Sequence, residues 1–222
     1  MQTRRQAKQQ AETETDTDSP IADNYSANDS KPKNGEVLVR GVPVKTFMRN
    51  IHLGTLAALI FIGVSTWIVW TGRVNLAGSV TAEKLTGFGV KSEFVFRYQI
   101  LSVLWLLFNV QAVIYNRLRE PQALDPLSGS EHATQANRNI LQNSVEQLLI
   151  TLITQLSVIS YLNGYYVIRV IPLMNLFYFV GRITFFIGYP RYRTFGFITT
   201  QAPPLIAAAF AAYRFGTHLG IY

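Results

Sequence analysis

Two stretches hold the side chains able to do chemistry. In the first, Asn139, Gln142, Asn143, Glu146 and Gln147 recur at three- and four-residue spacings in an otherwise apolar run, with Gln135 one turn ahead. Those spacings put them on one side of a helix. In the second, Arg182 stands alone among apolar residues and is followed by Tyr189, Arg191 and Arg193. Amides and a carboxylate can orient a polar ligand, while arginines beside a tyrosine can hold an anion. Cysteine is absent, which excludes disulfides, Cys-ligated metals and thiol catalysis by the chain itself. His52, His132 and His218 are scattered, without the spacing of a metal site or the partners of a triad.

The elements that carry these residues read as membrane helices. The chain has 222 residues, 49% of them hydrophobic and only 15% charged, against about 25% charged in soluble domains. Seven of its thirteen acidic residues fall within the first fifty positions, and of the rest only Glu146 lies well inside an apolar run. Apolar segments near 51–70, 94–116, 139–162, 165–189 and 195–215 each approach the roughly 20 residues that span a hydrocarbon core. The expected fold is therefore all-α, a polytopic transmembrane helical bundle. Trp67 and Trp70 suit an interfacial belt, and Asn163-Gly164 forces a tight helical hairpin. Ala208 and Ala212, four apart, would let helices approach closely. Residues 1–45, rich in Gln, Thr, Asp, Ser and Lys, read as a disordered tail.

Lysines and arginines gather on the tail's side of five alternating spans, so the tail is expected in the cytosol. The net charge of +7 then fits contact with anionic lipid rather than with nucleic acid. Counted inward from that side, Glu146 lies about 12 Å past Arg138 and Arg182 about 13 Å before Arg191, at 1.5 Å per residue. A buried acid and base at one depth predict an ion pair between Glu146 and Arg182, since either alone is costly. The same geometry brings Gln135, Asn139 and Gln142 towards Tyr189, Arg191 and Arg193 at a cationic mouth.

With these residues in place, Gln135-Ala136-Asn137-Arg138-Asn139-Ile140-Leu141-Gln142-Asn143 resembles the Arg-Ala-His/Gln-x-Asn-x-x-Glu-Asn/Tyr signature of the MAPEG superfamily, the membrane-associated proteins in eicosanoid and glutathione metabolism. Gly181-Arg182-Ile183-Thr184-Phe185-Phe186-Ile187-Gly188-Tyr189, with Arg191 and Arg193 beyond it, is similar to the family's second motif. The resemblance covers residues 94–216 as a four-helix unit, and the extra helix at 51–70 makes the arrangement most like the five-helix mattrin branch. It implies a homotrimer in an endomembrane of the ER, Golgi or lysosome. It also implies a glutathione site between subunits on the cytosolic side, in which Gln135, Asn139, Gln142, Asn143, Glu146 and Arg182 face the cofactor, with Arg193 or Arg191 stabilising its thiolate and Tyr189 assisting.

Departures from the signature weaken that chemistry. Gln135 stands where the family has an arginine, and Gln142 where it has a glutamate. Each lost charge removes a charge-assisted bond worth about 1.5–3 kcal/mol. The amides then have an alternative role as interhelical hydrogen-bond partners, and Tyr189, Arg191 and Arg193 an alternative role as interfacial anchors. Three function classes stay open: a non-catalytic regulator of membrane-protein trafficking or signalling with membrane-protein clients, a glutathione transferase or peroxidase for lipophilic electrophiles, and a transporter using the polar stripe.

Overall fold

The computed structural model describes residues 38–39, 42–119 and 132–220. Five helices follow one another: α1 (Val44–Trp70), α2 (Phe88–Arg119), α3 (His132–Ile159), α4 (Gly164–Gly188) and α5 (Thr194–His218). Ahead of them a short ladder pairs β1 (Leu38–Val39) with antiparallel β2 (Val42–Pro43), Leu38 opposite Pro43. The expected disordered tail lies outside the described residues as far as position 37; its last residues instead form this ladder and the first turn of α1. A compact unit of residues 48–222 holds the rest of the helices.

Helices α1, α2, α4 and α5 are long and apolar enough to cross a membrane. The 28 residues of α3 give about 42 Å at 1.5 Å per residue, so length is no obstacle. Its amides and Glu146 set it apart in composition from the other four. Packing fixes its place: α3 lies along α2 and α5 and also touches α4.

The hairpin between α3 and α4 forms at Asn163-Gly164 as the sequence predicts. Asn163 caps α4, its side-chain oxygen accepting from the Tyr166 N–H at 3.2 Å. A Cβ on Gly164 would come within 2.1 Å of the Ala82 carbonyl oxygen, so only glycine lets α4 start on the 3-10 turn Ala82–Lys84. Across the same end, Lys91 Nζ donates to the carbonyls of Leu162 at 2.6 Å and Ile159 at 3.4 Å. A cation thereby meets the negative end of α3.

Helix α4 is the centre of the bundle. Val167, Ile171, Asn175, Tyr178, Arg182 and Phe185 are all buried, and their three- and four-residue spacing marks one inward stripe. An apolar cluster including Phe94, Val95, Val158, Ile159, Val167 and Ile171 packs one end of it. Along the other end α5 comes close because Gly181 and Gly196 face each other: a Cβ on Gly196 would lie 2.4 Å from the Gly181 carbonyl oxygen. Small residues do draw helices together here, but not those expected, since Ala208 and Ala212 are exposed.

Helix α1 sits at the periphery, with only Ala58 and Val69 buried. It leans on the bundle through Phe61, whose ring lies 5.8 Å from that of Phe177 and 5.9 Å from that of Phe195. At its end Trp70 stacks on Tyr166, and the Arg73 guanidinium covers Trp67. Aromatic rings and an arginine thus gather at this helix end.

Candidate functional site

The polar stripe of α3 does not face one way. Asn139, Gln142 and Glu146 are exposed, Asn143 is half-buried and Gln147 is buried. At about 100° per residue, 142 and 146 fall within about 60° of 139 on one side, while 147 lies about 80° round on the other. The inward face is Ile140, Ser144, Gln147, Thr151, Gln155 and Val158. Within one chain these residues are thus divided between the interior and the outer surface.

The expected ion pair between Glu146 and Arg182 is absent. Among the described residues the ion pair joins Arg97 to Glu93, one turn apart on the exposed side of α2. Glu146 points outward and accepts from Gln142 Nε2 at 3.1 Å. Arg182 is at zero exposure and turns instead to Asn143, whose Oδ1 accepts from Nη1 at 2.7 Å, and to Thr200, whose Oγ1 accepts from Nε at 3.3 Å. Arg182 thus bonds the amide at 143, about one turn nearer the start of α3 than the carboxylate at 146, which points outward.

The sequence builds this Arg182 pocket from three helices. Gly181 beside Gly196 admits α5, and a Cβ on Gly181 would fall 2.2 Å from Thr200 Oγ1. Thr200 is held in turn by donating to the Gly196 carbonyl at 2.8 Å. One turn earlier on α4, the Tyr178 hydroxyl donates to the Ser144 carbonyl at 3.0 Å. The guanidinium also lies 4.5 Å from the Phe185 ring centre, a favourable placement for a desolvated cation. Arg182 therefore ties α3, α4 and α5 together, and its full burial gives a ligand from water no route to it.

A second group forms at the end of α4. Asn139 Nδ2 donates to the Tyr189 hydroxyl over a long 3.4 Å, the Tyr189 ring packs 5.8 Å from that of Phe185, and the Arg193 guanidinium sits 5.8 Å above Tyr189. Three of the expected mouth residues, Asn139, Tyr189 and Arg193, are thus brought together. Gln135 and Arg191 are exposed, and no hydrogen bond among the described residues joins them to this group. Gln142 was expected there too; it lies round α3 towards α2, beside Arg138, Arg117 and Leu141. Among the described residues this group offers one cation, one phenol and one amide, able to hold a small anionic group, with no carboxylate in it.

Several interior polar residues had no place in the sequence reading. Gln99 Nε2 donates to Gln155 Oε1 at 2.8 Å, both side chains being buried between α2 and α3. Two amides in apolar runs were visible, but their pairing was not. Thr200 gave no signal, because a helical threonine can bond within its own helix and leave no trace in spacing. Compared with protein-family models, with curated proteins and with solved structures, the chain matches none.

Proposed function

We propose that this protein is a MAPEG-like, multi-pass endomembrane protein whose glutathione site has lapsed and which acts on other membrane proteins as a regulator of their trafficking or signalling. The observation that carries this reading is Arg182, fully buried and held by Asn143 and Thr200. Two residues of the glutathione motifs thereby serve helix packing. Glu146, the remaining acid of the stripe, faces outward with Gln142, away from Arg182, so a single chain does not gather the expected cofactor-binding set.

The outward face of α3 supports a homo-oligomer. Gln135, Asn139, Gln142 and Glu146 are exposed on a helix flanked by membrane-length helices. Polar groups at such depth need a protein partner or water. A trimer, by resemblance, would cover them, with all five helices crossing and the N-terminus in the cytosol.

The second reading, a glutathione transferase or peroxidase for lipophilic electrophiles, draws on the surviving group of Asn139, Tyr189 and Arg193. Thiolate absorbance on adding glutathione to the purified protein separates the two. No saturable signal, together with altered surface abundance of membrane proteins after depletion of this one, supports the regulator. Saturable thiolate formation abolished by Arg193→Ala and Arg191→Ala would replace it with the enzyme.

A further inference from the structure

The interior between α2, α3 and α4 holds polar side chains with unused hydrogen-bonding atoms. Among the described residues, Gln99 Oε1, Ser102 Oγ, Gln147 Oε1, Thr151 Oγ1, Gln155 Nε2 and Asn175 Oδ1 are buried without a hydrogen-bond partner. Each of these side chains is at most 5% exposed, and buried polar atoms in proteins nearly always have a partner. The geometry explains how they are left over. Gln99 and Gln155 share one bond, from Nε2 to Oε1 at 2.8 Å, which leaves the other end of each amide unused. Asn175 turns its Nδ2 back to the Ile171 carbonyl at 2.9 Å, which leaves Oδ1. The three helices pack on one another, and α3 runs antiparallel to both neighbours. Ser102, three residues past Gln99, therefore stands about level with Thr151, four before Gln155. In the same way Asn175, three before Tyr178, stands about level with Gln147, three after the Ser144 that Tyr178 bonds. From Gln147 to Gln155 the group covers about 12 Å of α3 at 1.5 Å per residue.

We propose that this interior binds a small enclosed cluster of water, on the order of two molecules at about three bonds each. The residue chemistry selects the occupant. The three amide oxygens need donors, Gln155 Nε2 needs an acceptor, and the two hydroxyls take either. Water supplies both. A metal cation would suit the oxygens but not the Gln155 N–H, and no carboxylate in the group offsets its charge. A lipid tail would satisfy none of them. The cluster is closed at both ends. Towards the α3–α4 hairpin it meets the apolar cluster that includes Phe94, Val95, Val158 and Ile159; towards the mouth stand Tyr178 and Arg182, at 1% and zero exposure. Polar groups inside a membrane bundle are tolerated where they face one another or water. These waters bridge α2, α3 and α4 without forming a path across the bilayer, and the site does not rest on the glutathione question.

The test uses the full chain, deuterated except at exchangeable sites, in phosphatidylcholine nanodiscs. It is read by magnetisation transfer from water to side-chain amides in nuclear magnetic resonance, and by thermal unfolding. The amides of Gln99, Gln147, Gln155 and Asn175 should show transfer from long-lived bound water. Thr151→Val keeps the side-chain shape and removes the hydroxyl. It should weaken that transfer and lower the melting temperature by about 2–4 °C, the loss of one water-mediated bond. In a dry interior the same change removes an unpaired buried hydroxyl and raises the melting temperature instead. A raised or unchanged midpoint, or no transfer to these amides in wild type, overturns the proposal. Stabilisation by sodium or potassium chloride over equal N-methylglucamine chloride, lost in Thr151→Val, replaces water with a cation. Osmotic water flux through liposomes carrying the protein, above that of empty liposomes, overturns the closure. If Thr151→Val fails to fold, transfer in the wild type still decides.

Discussion

The two arginine sites on α4 and just beyond it differ in what surrounds them. Arg182 is enclosed by three helices, with hydrogen bonds to Asn143 and Thr200 and a ring beneath it. Arg193 stands exposed at the mouth, over Tyr189, which itself receives one long bond from Asn139. In water the difference would be modest, but inside a bilayer an arginine must satisfy its donors from neighbouring helices. The deep site therefore has to be structural to exist at all, whereas the mouth can keep polar groups free because head groups and water reach it. Of these two sites, only the mouth is open to a ligand from water.

The sharpest way to break that contrast is to push α5 off α4. Gly196→Ala puts a Cβ about where the Gly181 carbonyl and the Phe185 backbone already lie, and overpacking of that kind costs about 3 kcal/mol. Thermal unfolding in detergent micelles should show a large drop; an unchanged midpoint would mean that the helices are not this close. Next in size, Arg182→Met leaves the half-buried Asn143 and the buried Thr200 side chains without their donor and should cost about 2 kcal/mol. Adding Asn143→Leu should recover part of the loss, because removing both partners is cheaper than removing one. No loss in the single variant would sink the structural role of Arg182.

At the mouth the effects should be small. Tyr189→Phe removes a 3.4 Å hydrogen bond and is expected to cost about 0.5 kcal/mol, measured in the same melts. Smallest of all, Glu146→Gln should stay within about 0.5 kcal/mol, as exposed substitutions do. A loss at Glu146 equal to that at Arg182 would revive the ion pair that the side-chain geometry rejects. Stability measured for the oligomer rather than the monomer sharpens this last case, since a subunit covering the outer face of α3 would make Glu146 matter more.

Much of the architecture was legible because it depends on composition and punctuation. The five helices lie close to the apolar segments, α4 beginning one residue before the expected 165 and α5 one before 195. Asn163-Gly164 announced the hairpin, since a cap and a glycine carry local meaning. The site was less legible. Its amides were found, but a stripe spread over more than 100° of helix has two edges, and spacing cannot say which edge meets a neighbour. The same limit hid the close packing that Gly181 and Gly196 make within the chain, where Ala208 and Ala212 face outward.

From residue types alone follow helices of membrane length, a capped turn between two of them, and a polar band near one end of α3. These are consequences of side-chain hydrophobicity and local backbone preference, which act residue by residue. Only the tertiary structure decided that Arg182 bonds to Asn143 rather than to Glu146, that Thr200 takes a second of its donors, and that Gln142 turns towards Arg117 and Arg138. Those outcomes depend on how far each helix is rotated against its neighbours, and rotation is set by the fit of all three surfaces at once.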